Sequence, residues 1–154
     1  MKQISIFCKN GGIMKKVVIS GSSKLQDKVN YWLEYFKSKG YTILDYPKLI
    51  EQNNYVKELP KVYKDFYTAL ESTDVYFLMN EEKNGIKGYI GASSIAELTY
   101  VVILNLIHNK NIEIYILNMP SKEVSSYDEV KFWLDMGWIK IYDNEKSKNG
   151  GKNE

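Results

Sequence analysis

The sequence contains no arginine and almost no histidine or cysteine. All 21 of its strongly basic residues are lysines, His108 is the only histidine and Cys8 is the only cysteine. Without a guanidinium group there is no planar fork to hold a phosphate, so an anion must be bound by backbone N–H groups, hydroxyls or lysine. The single histidine and cysteine argue against a histidine-based triad, a multi-histidine metal site and a disulfide framework. We therefore predict no metal and no organic cofactor.

Long apolar runs and a strong net charge are also missing. No stretch is long and apolar enough to span a bilayer, and no secretory signal is recognisable. The formal net charge of +2 is too small to indicate nucleic acid or a membrane surface as a partner. These features predict a cytoplasmic protein that binds neither.

The 154 residues predict one α/β domain in which strands alternate with helices. Short apolar, β-branched runs predict strands at 16–20, 41–45, 74–79, 112–117 and 138–142. Apolar residues at helical spacing predict helices at 24–39, 59–72, 94–108 and 126–136. This alternation predicts a three-layer sandwich with a five-stranded parallel sheet, of flavodoxin-like or Rossmann-like type.

Local signals predict where two of the helices begin. Ser22 or Ser23 is expected to cap the first helix, and Pro60 is expected in the first turn of the second. The helix at 94–108 is apolar nearly all round, which predicts burial by its own sheet on one side and by a partner subunit on the other. We therefore expect a homodimer or a higher homo-oligomer.

The ends of the chain are predicted to lie outside the domain, which spans 14–142. For residues 1–13, two interpretations stay open: a translated ribosome-binding site before a natural start at Met14, or a short genuine strand at Ile4–Cys8. The mass of the native protein decides between them. Residues 143–154 are rich in lysine, asparagine and glycine, and we expect them to be disordered.

The stretch 88–98 combines glycines, serines and one acid ahead of the most apolar helix. If Ser94 is the N-cap, Glu97 occupies the third helical position and the pair fits a capping box. The alternative is that Glu97 faces a ligand as a carboxylate kept ionised by the helix N-terminus. Such a carboxylate can attack or stabilise an oxocarbenium-like sugar carbon.

Ligands of parallel α/β sheets bind beyond the carboxyl ends of the strands. This rule brings the turn after the first strand and the long loop at 80–92 to one crevice. The turn can hold a phosphate or a ribose hydroxyl, or it can be a capped turn only, and Tyr89 can stack on a base or simply pack. The predicted substrate-binding residues are Gly21, Ser22, Ser23, Asp65, Asn80, Tyr89, Gly91, Ser93 and Ser94.

Three stretches together resemble the nucleoside 2-deoxyribosyltransferase superfamily. They are the strand and turn at 18–22, Asp65 followed by the strand from Asp74, and the segment 93–100 after the glycine-rich loop. By this resemblance Glu97 is the nucleophile, Asp65 helps orient the substrate and Ser94 is the hydroxyl residue of the catalytic loop. The resemblance also implies a five-stranded parallel sheet and homo-oligomers whose sites are completed by a neighbouring subunit.

Two positions differ from the family pattern. Gly91 stands where transferases often carry an acid, and Val18 stands where some members carry a tyrosine in the first strand. Transfer between bases and hydrolysis therefore both stay open. We expect cleavage of the N-glycosidic bond of a nucleoside or nucleotide through Glu97. The alternatives are a non-catalytic nucleotide-binding or sensing module and, third, a flavodoxin-like redox domain.

Overall fold

The computed structural model describes residues 14–143, which form one five-stranded parallel sheet flanked by helices. The elements in chain order are β1 (Lys16–Ser20), α1 (Gln26–Ser38), β2 (Thr42–Asp45), α2 (Tyr55–Ser72), β3 (Val75–Leu78), α3 (Ala92–His108), β4 (Glu113–Ile116), α4 (Tyr127–Asp135) and β5 (Lys140–Ile141). The strand order is β2-β1-β3-β4-β5, and every neighbouring pair is parallel. This order is flavodoxin-like, so the predicted fold class is confirmed. The predictions for 1–13 and 144–154 lie outside the described residues.

The two central strands, β1 and β3, are buried on both faces, as their continuous apolar sequences require. On one face Phe77 packs against Trp32 and Phe36 of α1, with ring centroids 4.7 and 5.0 Å apart. On the other face Tyr76 packs in a cluster that includes Leu98 and residues of α2. Helices therefore cover both faces, and the open carboxyl ends of β1 and β3 lie between them.

Two helix starts differ from prediction. The second helix begins at Tyr55 rather than Leu59, so Pro60 lies inside it instead of in its first turn. Pro60 has no N–H to give to the carbonyl of Val56 one turn earlier, and Val56 is an exposed residue. The first helix begins at Gln26 without a side-chain cap, so neither serine of the preceding turn caps it.

Within residues 14–143, the helix α3 is buried on one side only. Leu98, Val101, Val102 and Leu104 face the core, whereas Ile103, Leu106 and Ile107 are 41%, 45% and 65% exposed. The predicted second cover, a partner subunit, stays a prediction. No helix within residues 14–143 has the length and hydrophobicity needed to cross a membrane.

Candidate active site

A cavity of about 310 Å³ opens at the carboxyl ends of β1 and β2, between the start of α3 and one face of α2. Its walls combine small polar residues, aromatic rings and lysines. The lining residues are Gly21, Ser22, Ser23, Lys24, Tyr46, Pro47, Lys48, Ile50, Leu59, Val62, Tyr63, Phe66, Tyr67, Lys83, Tyr89, Gly91, Ala92, Ser93, Ser94 and Glu97. Its size and its mix of apolar and convergent polar groups are those of a small-molecule site.

The glutamate of this cavity is held by the last residue of β1. The Ser20 hydroxyl donates a hydrogen bond of 2.6 Å to Glu97 Oε2, across a separation of 77 residues in sequence. Ser20 itself is completely buried, so the contact is part of the fold and not a surface encounter. No hydrogen bond from the described residues reaches Glu97 Oε1, which leaves that oxygen available to a ligand.

The environment of Glu97 raises its pKa to about 7. Burial is the main cause, and the negative charge of Asp45 adds to it, while the hydrogen bond from Ser20 acts in the opposite direction. Burial therefore opposes the ionisation that the helix N-terminus was expected to favour. A carboxyl group with a pKa near neutrality can take up and release a proton under physiological conditions.

The helix α3 begins three residues earlier than the capping-box interpretation requires. Its N-cap is Gly91, which has an extended conformation (φ −80°, ψ 173°), and Ala92 is the first helical residue. Ser94 therefore lies in the first turn, and Glu97 is the sixth residue of the helix rather than the third. The capping box was wrong: the carboxylate of Glu97 bonds to Ser20 of the sheet, and a glycine N-cap leaves the first N–H groups of α3 without a side-chain partner.

The long loop reaches the cavity through a lysine and a tyrosine. Lys83 Nζ donates to Ser22 Oγ at 2.9 Å and lies 4.9 Å from the centroid of the Tyr89 ring. Both partners are uncharged, so the ammonium group of Lys83 keeps its positive charge unneutralised by them. Lys48, in contrast, is paired with the buried carboxylate of Asp45 at 2.9 Å. The lining thus holds three lysines and a single carboxyl group, that of Glu97.

Eight of the ten predicted site residues line this cavity, and two do not. The eight are Gly21, Ser22, Ser23, Tyr89, Gly91, Ser93, Ser94 and Glu97. Asp65 is on the exposed surface of α2, where it accepts a hydrogen bond of 2.6 Å from Lys61. That bond is the main reason why the pKa of Asp65 is lowered. A direct role of Asp65 at this cavity has no geometric support.

Asn80 is buried and has a structural role. Its Oδ1 accepts from the backbone N–H groups of Leu117 and Asn118, both at 2.9 Å, and its Nδ2 donates to the Asn118 carbonyl at 2.7 Å. These bonds tie the start of the long loop to the end of β4. The loop also approaches this segment closely at Gly88, where a Cβ would lie only 2.7 Å from the Met119 carbonyl oxygen. The prediction that Asn80 binds substrate is not supported by this arrangement.

The sequence reasoning missed several residues of the cavity. Ser20 was interpreted as strand only, although a hydroxyl at the last position of a buried strand next to the crevice is a usable signal. Val62 and Phe66 lie in the helix predicted at 59–72, but no sequence signal indicated that they would line the cavity. Nothing in the sequence separated Lys24, Lys48 and Lys83 from the other lysines. Within residues 14–143 no cluster of three His, Cys, Asp or Glu side chains is arranged to bind a metal.

This fold and site define the chain as a flavodoxin-like α/β protein. A crevice at the carboxyl ends of its strands holds a glutamate, Glu97, whose pKa is raised by burial. Comparison with known protein families gives no match, and comparison with curated proteins gives none either. Among solved structures, the chain is similar to the Clostridium botulinum CMP N-glycosidase BcmB. The identity is 14% with a TM-score of 0.51, over 87% of this chain and 94% of that chain. At this identity the similarity supports the fold.

Proposed function

We propose that this protein cleaves the N-glycosidic bond of a nucleoside or nucleotide, with Glu97 as the reacting carboxylate. The observation that carries the proposal is the position of Glu97. It is mostly buried, anchored through Oε2 by Ser20, and it lines a small-molecule cavity at the strand ends. The structural similarity to BcmB supports the same chemistry, because BcmB is a CMP N-glycosidase.

The reaction needs few groups. The ionised carboxylate of Glu97 attacks, or stabilises, the anomeric carbon of the sugar while the bond from that carbon to the base nitrogen breaks and its electrons leave with the base. Water or a second base then takes the sugar from the enzyme, which distinguishes a hydrolase from a transferase. A pKa of about 7 keeps the carboxylate substantially ionised at neutral pH, and burial strengthens its interaction with developing positive charge.

The charge of the cavity favours a substrate that carries a 5′-phosphate. Lys24, Lys48 and Lys83 line it, and Lys83 is held by uncharged groups. The first turn of α3, whose N–H groups have no side-chain cap, contributes Ala92 and Ser93 to the lining, and a helix N-terminus favours an anion. Because the chain has no arginine, these lysines, backbone N–H groups and the serine hydroxyls of the lining are the groups available to bind a phosphate.

The phosphate preference predicts a selective effect of Lys83→Met. We expect the KM for a nucleoside 5′-monophosphate to rise about tenfold, because one charge-assisted contact is lost, with little change for the matching nucleoside. Steady-state kinetics of base release on both substrates measures this, with Lys122→Met as the matched surface control. An equal rise in KM for nucleoside and nucleotide would show that Lys83 only supports the loop.

Chromatographic detection of free base tests the proposed function. The protein is incubated with a panel of nucleosides and 5′-monophosphates, with and without an added acceptor base. Base release establishes N-glycosidic cleavage, and dependence on the acceptor identifies a transferase. If no base is released while a nucleotide still raises the melting temperature, the protein is a binding module and the proposal is wrong.

The exposed apolar residues of α3 support a homo-oligomer that covers this helix. Ile103, Leu106 and Ile107 form an apolar patch on a helix whose other face is already in the core. We expect Ile107→Glu to shift the protein toward the monomer in size-exclusion chromatography with light scattering, because a charge would be buried in the interface. Val56→Glu, at an apolar position of α2 that is 74% exposed against 65% for Ile107, is the control. A wild-type protein that is monomeric at high concentration would refute the assembly.

A further inference from the structure

A second buried hydroxyl lies behind the contact between Ser20 and Glu97. Tyr76 of β3 is completely buried, and its hydroxyl is one of only two buried side-chain polar groups among the described residues without a hydrogen-bond partner. Buried polar groups are nearly always paired, and an unpaired one marks either a cost to the fold or a function. The core would accept a phenylalanine here without losing any hydrogen bond seen in this structure.

The sheet register places Tyr76 on the same side as the site. Tyr76 pairs with Val18 of β1, and Val18 and Ser20 point to the same face because side chains two apart in a strand do so. Tyr76 also packs in the same cluster as Leu98, the neighbour of Glu97 in α3. The phenol of Tyr76 therefore extends from β3 to the side of the sheet that carries Ser20 and faces α3, the helix of Glu97.

Electrostatics connects the three groups. Burial raises the pKa of the Tyr76 phenol well above its usual value, and the negative charge of Glu97 raises it further. The Ser20 hydroxyl is close enough to act in the opposite direction, although it does not complete a hydrogen bond with the phenol. The Ser20 hydrogen is already committed to Glu97, so the Ser20 oxygen is the acceptor left for Tyr76.

We propose that Tyr76 and Ser20 form a two-hydroxyl relay that positions Glu97 in its ionised form. The Tyr76 hydroxyl donates to Ser20 Oγ, and the Ser20 hydroxyl donates to Glu97 Oε2. Ionisation of Glu97 polarises the Ser20 hydroxyl and makes its oxygen a stronger acceptor, which draws in the phenol. Both are positioning residues, and this inference rests on the proposed function only for its kinetic consequences.

Other charged and titratable groups face Glu97 and must be held constant in the test. The carboxylate of Asp45 on β2 raises the pKa of Glu97, and the phenol of Tyr67 on α2 senses its charge. Positive charge comes from three lysines of the same cavity: Lys24, Lys48 and Lys83. None of these groups is altered by a substitution of Tyr76 or Ser20.

The test measures the pKa of Glu97 directly by NMR of protein labelled with ¹³C at the glutamate side-chain carboxyl, assigned with Glu97→Gln. This readout needs no activity, so it stands even if the proposed function fails. Tyr76→Phe is expected to raise the pKa of Glu97 by about half a unit and, by lowering the ionised fraction, to lower the rate of base release about twofold at neutral pH, at unchanged KM. Ser20→Ala is expected to lower the rate about 10- to 100-fold, and Ser20→Thr to restore most of it.

The relay predicts a dependence of one substitution on the other. In the Ser20→Ala background, Tyr76→Phe should have no further effect on the pKa of Glu97, because the connection is already broken. Matched controls are Tyr115→Phe, on the neighbouring strand β4, and Ser126→Ala, the other buried hydroxyl without a partner. If Tyr76→Phe leaves the pKa of Glu97 unchanged, or acts equally with and without Ser20, Tyr76 is a core residue only and the relay is refuted.

Discussion

Glu97→Gln is expected to reduce base release by about 10³-fold or more, the largest effect on activity of any single substitution. The amide keeps the shape of the side chain and can still accept the hydrogen bond from Ser20, whose present length is 2.6 Å. It cannot supply a negative charge or a nucleophilic oxygen to the anomeric carbon. The change therefore removes the chemistry and preserves the anchor, and kcat/KM on the best substrate of the panel measures it.

Glu123→Gln is the matched control for that substitution, because Glu123 is exposed and does not line the cavity. Its kcat/KM should equal that of the wild type. Retention of activity in Glu97→Gln would mean that another group performs the cleavage. In that case Glu97 would be a buried structural carboxyl group.

The same substitution is expected to stabilise the protein at alkaline pH. The pKa of Glu97 is about 7 in the folded chain against a reference value of 4.5. Between these values the folded chain holds a proton that the unfolded chain has lost, so the free energy of unfolding falls as the pH rises through this window. Above about pH 7 the full cost applies, and at about 1.4 kcal/mol per unit it amounts to about 3 kcal/mol.

Glu97→Gln removes that cost. At pH 8 we expect its free energy of unfolding to exceed that of the wild type by up to about 3 kcal/mol, with a higher melting temperature. At pH 4 Glu97 is mostly protonated in both states, so the two proteins should have nearly equal stability. Urea unfolding at the two pH values measures the difference. A variant that is no more stable than the wild type at pH 8 would show that the carboxylate is well solvated.

Glu97→Gln is thus expected to lower activity and to raise stability, and both effects have one cause. Burial raises the pKa of Glu97 and makes its ionised form costly to the folded state. The same lack of water makes the carboxylate a stronger partner for positive charge at the sugar carbon. On the proposed function, Glu97 is a catalytic group maintained at the expense of stability.

The fold could be predicted because its signals are local and repeated. The runs Val17–Ile19 and Val75–Leu78 are continuous apolar strands because helices cover both faces of the central sheet. Alternation with amphipathic helices then leaves few topologies. The exact helix starts could not be predicted. Ser94 suggested a later start for α3 than its actual N-cap, Gly91, and Pro60 suggested a later start for α2 than Tyr55.

The site could be predicted in part. The turn after β1 and the loop before α3 meet at the strand ends because parallel sheets bring those ends to one edge. The structural role of Asn80 could not be predicted, because its side chain binds backbone groups just after β4, in residues 37 and 38 positions away in sequence. The contact between Ser20 and Glu97 was invisible for the same reason. The pKa of Glu97 depends on burial, which spacing alone does not reveal.

The most direct test of the central claim is the release of free base from the nucleoside and 5′-monophosphate panel at pH 8. Wild-type protein and Glu97→Gln are followed side by side by chromatography. We predict that the wild type releases base, fastest from a 5′-monophosphate, and that the variant is inactive yet at least as stable. Equal base release by both proteins, or none by the wild type from any substrate of the panel, would contradict the account.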